Sequence, residues 1–200
     1  MVDMIRAVSE EAARVNPKAI RVVNSGSCWG EDAANNLGST PRIVSPYEMW
    51  DMLIKAGVGY EAVGMQPYFG YRDLYEIDEL LERYSKLGKR IHVCEQDTFS
   101  KNIGQPDSCF PDGHAGQTWY RWHRPWDEAL QAEWLEGMFI VCLSKDYVDE
   151  WDWWDTTDFK GIYMPWAGLL DKDFYPKPAY RRLEDLVDRW GGRLKGLGKR

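Results

Sequence analysis

The chain has 200 residues, enough for one domain with a hydrophobic core, and we expect a single domain over residues 1–200. Its 25 basic and 32 acidic residues give a formal net charge of −7. This argues against a nucleic-acid partner or a membrane surface, because either would require a basic face. No segment has the composition of a membrane span or of a secretory signal.

The first half of the chain alternates predicted helices and strands. An amphipathic helix is predicted by apolar residues at helical spacing, namely Met4, Ile5, Val8, Ala12 and Val15, and it ends at Asn16 and Pro17. The β-branched run AIRVVN (residues 19–24) predicts a strand. Ser45 and Glu48, with Pro46 between them, predict a capping box and a helix that runs to Gly57. YEAVGMQ (residues 60–66) predicts the second strand.

The second half continues the alternation. A leucine-rich stripe over residues 74–87 predicts a helix that ends at Gly88, and residues 90–95 predict the third strand. We expect a helix from Pro125 to Glu136 and a fourth strand in the apolar run MFIVCLS (residues 138–144). The last helix is predicted to begin at Pro178 and to stop at Gly191 and Gly192, with four inward residues, Tyr180, Leu183, Val187 and Trp190.

The predicted strands are almost continuous apolar runs, which is typical of parallel strands covered by helices. The long loops follow strands and the turns after helices are short, an asymmetry typical of barrels that carry their site on one face. The sequence therefore predicts an α/β fold of the TIM-barrel type. Because a complete barrel needs about eight strands, we expect a partial barrel of about four parallel strands with flanking helices.

Polar residues follow the predicted strands where parallel strands would share one edge: Asn24, Gln66 with Tyr68, Glu95 with Asp97, and Lys145 with Asp146. Such a ring suits a ligand rich in hydroxyl groups. Structural roles are also open at this point. Glu95 could pair with Arg72 or Lys101, Asn24 and Gln66 could cap strand ends, and Asp97 could orient a loop. Lys145 and Asp146 could form only a surface ion pair.

Aromatic residues are unusually frequent, with 11 Trp, 11 Tyr and 6 Phe. Many lie in loop-like segments such as TWYRWHRPW (residues 118–126) and DEWDWWD (residues 149–155). They either fill and cover a core or offer flat apolar faces on which sugar rings stack.

Cysteines and histidines give no metal-ligand spacing, and we predict no metal and no cofactor. Cys94 and Cys142 lie in apolar runs and are expected to be buried thiols. Cys28 and Cys109 lie in loops and could form a disulfide, which the sequence leaves open.

Four segments together resemble the C-terminal half, strands 5 to 8, of family 10 glycoside hydrolases, which are (β/α)8 barrels of the xylanase type. NPKAIRVVN resembles the passage from helix 4 to strand 5, VGMQPYF resembles strand 6, and IHVCEQD resembles strand 7 with its Glu-x-Asp pair. AGLLDKDFYPKPAY (residues 167–180) resembles the segment that leads into the last helix.

The resemblance implies a retaining endo-β-1,4-glycanase, xylanase-like, that cleaves plant-type polysaccharide with Glu95 as nucleophile. It implies substrate binding by Asn24, Gln66, Tyr68, Asp97, Lys145 and Trp151. The family has His where this chain has Tyr68. The sugar-stacking Trp of its strand 8 aligns near Lys145, with Trp151, Trp153, Trp154 or Trp166 as substitutes. The acid/base of the family lies on strand 4, which would precede Met1, although an acid of residues 149–155 could replace it.

Half a barrel would leave unpaired strand edges, so we expect self-association or a complementing N-terminal half. We interpret the chain as a fragment whose partner in function is a polysaccharide or oligosaccharide, with no nucleic-acid or membrane partner. The alternative is a non-catalytic carbohydrate-binding relative, favoured by the missing acid/base. Localisation stays open, because the family is usually secreted while this chain shows no signal peptide.

Overall fold

The structure is a computed structural model that describes residues 1–30, 38, 42–67, 73–101, 121–159 and 166–197. The chain divides into two compact units. The first, which we call the sheet unit, comprises residues 1–67, 75–96 and 145–152. The second, the helix-pair unit, comprises residues 68–74, 97–144 and 153–200.

The described elements are, in chain order, α1 (Val2–Val15), β1 (Val22–Ser25), α2 (Pro46–Lys55), β2 (Ala62–Met65), α3 (Leu74–Ser85), β3 (Arg90–Gln96), β4 (Arg121–Trp122), β5 (Arg124–Pro125), α4 (Glu128–Leu143), β6 (Val148–Trp153) and α5 (Pro178–Leu197). Four of these strands form one sheet in the order β1-β2-β3-β6. The pairs β1–β2 and β2–β3 are parallel, and β4 and β5 form a short antiparallel pair. The prediction of a partial barrel of four parallel strands alternating with helices is confirmed.

The position of the fourth strand was predicted wrongly. MFIVCLS forms the second half of α4, and the fourth strand is β6, four residues beyond α4. An apolar run without a helical period cannot be distinguished from a buried strand by pattern alone. Gly137 lies inside α4, and a Cβ there would collide with Leu74 Cδ1, so the glycine lets the Leu74 side chain pack closely against the helix. The helix also begins later than Pro125, because Asp127 caps it by accepting from the Leu130 N–H at 2.6 Å.

Local capping signals at α2 and after α3 gave correct predictions. Ser45 and Glu48 make both hydrogen bonds of a capping box at the start of α2. Gly88 follows α3 with φ of 68°, in the left-handed region that glycine adopts without strain. The end of α5 was predicted wrongly, because the helix continues through both glycines to Leu197. Among residues 178–190, the part of the helix whose side chains are described, Ala179 and Leu186 are buried, whereas Val187, one of the four predicted to face inward, is exposed.

The core of the sheet unit lies between the strands and the helices α2 and α3. Trp50 is fully buried, donates from Nε1 to Val23 O at 3.0 Å, and packs edge-on against Tyr84 with ring centroids 5.1 Å apart. Tyr84 in turn donates its hydroxyl to Cys28 O at 2.7 Å. The adjacent strands contribute fully buried side chains, namely Ala62, Val63, Met65, Ile91 and Val93. These contacts fix β1, β2 and β3 and therefore their carboxyl ends.

The predicted helix α1 is present, but its apolar stripe is only partly covered. Ser9 is its buried residue, whereas Met4, Val8 and Val15 are 65%, 67% and 68% exposed. Within the described residues, β1 and β6 are the two edge strands of the sheet, and β1 has β2 as its neighbour. None of the described helices combines the length and the apolar character that a membrane crossing requires.

In the helix-pair unit, α4 packs against α5. One buried side-chain amide, that of Gln131 on α4, connects α4 to two loops. Gln131 Nε2 donates to Thr98 O at 3.0 Å and to Ala167 O at 3.1 Å. Lys177 and Asp158 form a buried ion pair, with Lys177 Nζ 3.0 Å from Asp158 Oδ1. Lys177 Nζ also donates to Ser100 Oγ at 2.8 Å. These bonds hold the segment after β3 and the segment before α5 within one unit.

Candidate active site

Glu95 is the second-last residue of β3, and Gln66 directly follows β2. Gln66 Nε2 donates a 2.7 Å hydrogen bond to Glu95 Oε1, and both side chains are half-buried. A hydrogen bond from a neutral amide to a carboxylate is charge-assisted and stronger than one between neutral groups. The parallel pairing of β2 and β3 therefore presents Glu95 with one oxygen held by the protein.

The position of Gln66 is itself fixed by the end of β1. Its backbone N–H donates to Ser25 O at 3.2 Å, which continues the ladder between β1 and β2. A Cβ at Gly26 would lie 3.0 Å from Gln66 Oε1, closer than most real contacts, so the glycine leaves room for the amide. The side chain that holds Glu95 is therefore supported from the neighbouring strand.

A second amide joins the same strand ends. Gln96 is fully buried, its Nε2 donates to Pro67 O at 3.2 Å, and its Oε1 accepts from Trp151 Nε1 at 2.6 Å. Trp151 lies in β6, the neighbour of β3 in the sheet, and is half-buried. The structure therefore brings Trp151 to the strand that carries Glu95.

Asn24 lies opposite Gly64 in the register of β1 and β2, and Gly64 lies opposite His92 in β3. A Cβ at Gly64 would be 3.0 Å from Asn24 Cβ and 2.8 Å from Val22 Cγ1, so the glycine gives Asn24 its space. Asn24 is exposed and precedes the last residue of β1. It is available to a ligand on the sheet, two residues below the level of Gln66.

Acidic side chains from β3 and β6 surround Cys94. Burial, and then the carboxylates of Asp152, Glu150 and Glu95, raise the pKa of the Cys94 thiol to about 11. Burial and the neighbouring Glu150 also raise the pKa of Asp152. His92 Nδ1 lies 2.8 Å from Glu150 Oε2. The acids of this run were expected in a loop, but Glu150 and Asp152 lie on β6, where the backbone is fixed by strand pairing.

Lys145 was expected at the carboxyl end of the fourth strand, and this expectation is wrong. Because the fourth strand is β6, Lys145 precedes the strand and lies at its opposite end. Its Nζ is 2.6 Å from Asp78 Oδ1 and 2.8 Å from Glu82 Oε1, and hydrogen bonds to these two carboxylates raise the pKa of the ammonium. The structure does not bring Lys145 to Glu95. Trp151 and Trp153 are the indoles that lie on β6, and Trp151 is the one that donates to Gln96 on β3.

Asp97 was expected to bind substrate, but its side chain is fully buried in the helix-pair unit. It shares a hydrogen bond with Asp155, whose pKa is raised by burial. A carboxyl without solvent access cannot contact a sugar in this conformation. Asp97 therefore holds the segment after β6, which is the loop-orienting role that the sequence left open.

Some expected residues lie outside the described part of the chain. These are Tyr68, Arg72 and Cys109, so the role of the phenol, a pairing of Arg72 with Glu95 and a disulfide to Cys109 stay predictions. The other cation considered for Glu95, Lys101, lies with its Nζ 4.7 Å from the centroid of the Trp166 ring. Among the described residues, no cluster of three or more acidic, histidine or cysteine side chains is arranged to hold a metal ion.

Sequence reasoning missed Gln96, whose buried side chain makes two hydrogen bonds at these strand ends. It was treated as the spacer of the Glu-x-Asp pair, although a glutamine at the end of an otherwise apolar strand requires partners for both of its polar atoms if buried. Its partners lie 29 and 55 residues away along the chain, which no local pattern indicates.

Parallel strands that alternate with helices and carry polar side chains at their carboxyl ends define a partial barrel of the (β/α)8 type. The family model described as Glycosyl hydrolase family 10 matches residues 35–186, well over half of the chain, and the chain belongs to this family. The resemblance inferred from the sequence is therefore confirmed. A comparison with curated proteins found no significant match.

Solved xylanase structures have the same fold. Xylanase 10B from Thermotoga maritima is 24% identical with a TM-score of 0.63, and the match covers 98% of this chain and 53% of that one. Xylanase 10B from Thermotoga petrophila RKU-1, in complex with xylobiose, is 24% identical with a TM-score of 0.64, over 94% and 52% of the two chains. The chain thus spans about half the length of these enzymes. At such identities the likeness shows the fold alone.

Proposed function

We propose that the chain is part of a retaining endo-β-1,4-glycanase of the xylanase type, which hydrolyses O-glycosidic bonds in plant-type polysaccharide. The observation that carries this proposal is the position of Glu95 at the carboxyl end of β3, half-buried, with one oxygen held by Gln66 Nε2 at 2.7 Å. Family membership supports the class of reaction. A carboxylate fixed at a strand end meets the positional demand of nucleophilic catalysis.

In the proposed reaction Glu95 attacks the anomeric carbon while the glycosidic oxygen leaves as an alcohol. A covalent glycosyl ester forms, and water then hydrolyses it with retention of configuration. A second carboxyl, about 5 to 5.5 Å from the first, protonates the leaving oxygen and later deprotonates the water. The resemblance assigns that acid/base to strand 4, which is not among the four strands of this sheet.

Contacts to the sugar are proposed for residues near the nucleophile. Trp151 offers a half-buried indole face for stacking on a sugar ring, and Gln66 and Asn24 offer amides for hydroxyl groups. Sugar rings combine flat apolar faces with hydroxyl edges, which matches this combination of side chains. The xylobiose complex of the Thermotoga petrophila enzyme supports a xylose-based substrate.

The β1 edge of the sheet supports a proposal about where the acid/base carboxyl lies. Apolar side chains on α1 are exposed, and β1 has an unpaired side among the described residues. Edge strands of this kind pair with further strands. We propose that a second barrel half covers this edge and supplies the acid/base, whether on the same polypeptide or on another. Two copies of this chain are the alternative arrangement.

A mechanism-based label tests the nucleophile without requiring the acid/base. A dinitrophenyl fluoro-xylobioside has a leaving group that departs without protonation, and its fluorine slows hydrolysis of the ester. We expect mass spectrometry to find the sugar on the peptide that contains Glu95, in the chain alone or mixed with a complementing barrel half. Glu95→Gln should abolish the label, and Glu10→Gln, an exposed acid on α1, should keep it.

Absence of the label under both conditions would refute the assignment of Glu95. Xylotetraose binding that survives Glu95→Gln, together with no labelling, would instead indicate the non-catalytic carbohydrate-binding relative. These two outcomes separate an enzyme from a binding protein.

A further inference from the structure

Gln96 makes a buried bridge between three neighbouring strand ends. Its side chain has no solvent exposure, and both of its polar atoms have partners on other strands. Nε2 donates to Pro67 O, just beyond β2, at 3.2 Å. Oε1 accepts from Trp151 Nε1, on β6, at 2.6 Å. Because β2, β3 and β6 are consecutive in the sheet, one amide on the middle strand connects both neighbours.

This bridge lies directly beside the contact that holds the nucleophile. Gln66 and Pro67 are consecutive, as are Glu95 and Gln96. Gln66 donates from its side chain to Glu95, while Gln96 donates from its side chain to the carbonyl of Pro67. The two dipeptides are therefore joined by hydrogen bonds in both directions.

The bond to Trp151 restricts the orientation of the indole. An indole has a single N–H donor, and turning the ring away would leave the buried Gln96 Oε1 without this donor. Leaving a buried polar atom unpaired is costly, so the ring is held in one rotamer. Only a side chain with an acceptor and a donor at this length serves both partners. A glutamate lacks the donor when ionised, and leucine or methionine lacks both groups.

We propose that Gln96 is a positioning residue that fixes the Trp151 ring as a sugar-stacking face beside Glu95. This inference rests on the proposed function, because it assumes that Trp151 contacts the sugar. Gln96 itself does not touch the substrate. Its Oε1 accepts from the Trp151 indole N–H and so orients the ring. Its Nε2 donates to the Pro67 carbonyl, which anchors the amide.

The first test concerns the bond itself and needs no ligand. The indole N–H signal of Trp151 is assigned in a nitrogen-labelled sample by its loss in Trp151→Phe. We expect this proton to be protected from hydrogen exchange in the unmodified chain and to exchange rapidly in Gln96→Met. Equal exchange in both proteins would overturn the inference whatever the chain binds.

The second test is a double-mutant cycle on xylotetraose binding, with the complementing barrel half present if the chain alone does not bind. Gln96→Met and Trp151→Phe are each expected to weaken binding about tenfold, and the double variant no more than either single one. Gln96→Glu keeps the acceptor for the indole and should retain most of the affinity. If Gln96→Met folds poorly, the indole N–H of Trp151 is measured in Gln96→Glu instead: it should stay protected from exchange, and rapid exchange would overturn the inference.

Labelling of Glu95 by the fluoro-xylobioside separates this inference from the proposed function. Gln96→Met should require about tenfold more reagent for half-maximal labelling, with the rate at saturation unchanged. A merely structural loss would lower the labelled fraction without shifting that concentration. Failure to label the unmodified chain refutes the proposed function. If the unmodified chain labels normally but the effects of Gln96→Met and Trp151→Phe on binding are additive, the role of Gln96 is refuted and the proposed function is not.

Discussion

Gln66 and Glu95 face each other across the ends of two parallel strands, with Gln66 Nε2 2.7 Å from Glu95 Oε1. Gln66 is set by a backbone bond to Ser25 and by the space beside Gly26, so the donor is in place before any ligand arrives. A preorganised donor of this kind fixes the plane of a nucleophilic carboxylate at no cost during the reaction.

Replacing Gln66 with methionine tests this relationship. Gln66→Met keeps the length of the side chain but removes the donor, and we expect labelling of Glu95 by the fluoro-xylobioside to slow by about tenfold or more. Rates are compared at equal folded fraction, determined by thermal unfolding. Glu79→Gln, an exposed acid on α3, is the control and should label normally. An unchanged rate in Gln66→Met would contradict the holding role.

Acid should weaken the sheet unit through Glu61. Hydrogen bonds from Arg21 lower the pKa of Glu61 from 4.5 to about 2. Its folded-state pKa is below the unfolded value, so this stabilisation is complete above pH 4.5 and is lost as the pH falls towards 2. Because Glu61 is 41% exposed, we expect Glu61→Gln to cost about 1 kcal/mol or less at neutral pH.

The measurement is the unfolding midpoint of both proteins from neutral pH down to pH 2. The difference between them should shrink as the pH falls below 4.5. Glu10→Gln, at an exposed position with no arginine bond among the described contacts, should follow the unmodified chain throughout. A difference that stays constant across the range would show that the ion pair does not carry the effect.

The buried ion pair of the helix-pair unit should be sensitive to removal of one partner. The side chains of Lys177 and Asp158 are 2% and 6% exposed. Lys177→Met leaves an uncompensated buried carboxylate, and we expect a loss of about 3 to 5 kcal/mol in the free energy of unfolding. Removing the second charge as well, in Lys177→Met with Asp158→Asn, should recover part of that loss. Denaturant unfolding measures both.

Lys172 provides a matched control for this experiment, since it pairs with Asp173 in an exposed position. Lys172→Met should leave the unfolding curve almost unchanged, because exposed ion pairs contribute little. If Lys177→Met behaves in the same way as Lys172→Met, burial of the first pair is not what stabilises this unit.

The exposed apolar residues of α1 predict association of the chain when it is expressed alone. Sedimentation velocity should detect dimers or larger species, because apolar surface and an unpaired strand edge favour contact between copies. Val8→Glu should reduce the associated fraction. Val187→Glu, at an exposed valine on α5, should not. A monodisperse monomer with a cooperative unfolding transition would contradict this prediction.

Much of the sheet could be predicted because its signals are local. β1, β2 and β3 are short apolar runs between turns, and the capping box of α2 lies within four residues. The fourth strand could not be predicted in this way. β6 contains three acids and two tryptophans, which resembles a loop, whereas the second half of α4 is apolar enough to resemble a buried strand. Whether each of these two segments becomes a strand or a helix depends on the elements that pack against it, which its own residue pattern does not show.

The candidate site was predicted in part, for the same reason. Glu95 and Gln66 stand at strand ends that the sequence marks, and the structure joins them. Lys145 was placed at the site only because the fourth strand was shifted by several residues. Gln96 was missed because its partners come from other strands, and long-range hydrogen bonds leave no periodic trace in a sequence.

The single amide of Gln131 has a consequence for how this fold can change. From the first turn of α4 its Nε2 donates to the carbonyls of Thr98, in the segment after β3, and of Ala167, in the segment after β6. Either segment can gain or lose residues only if these two carbonyls return to the same helix. Variation in loop length among natural or engineered versions of this chain should therefore leave Thr98 and Ala167 in place and fall elsewhere in these two segments.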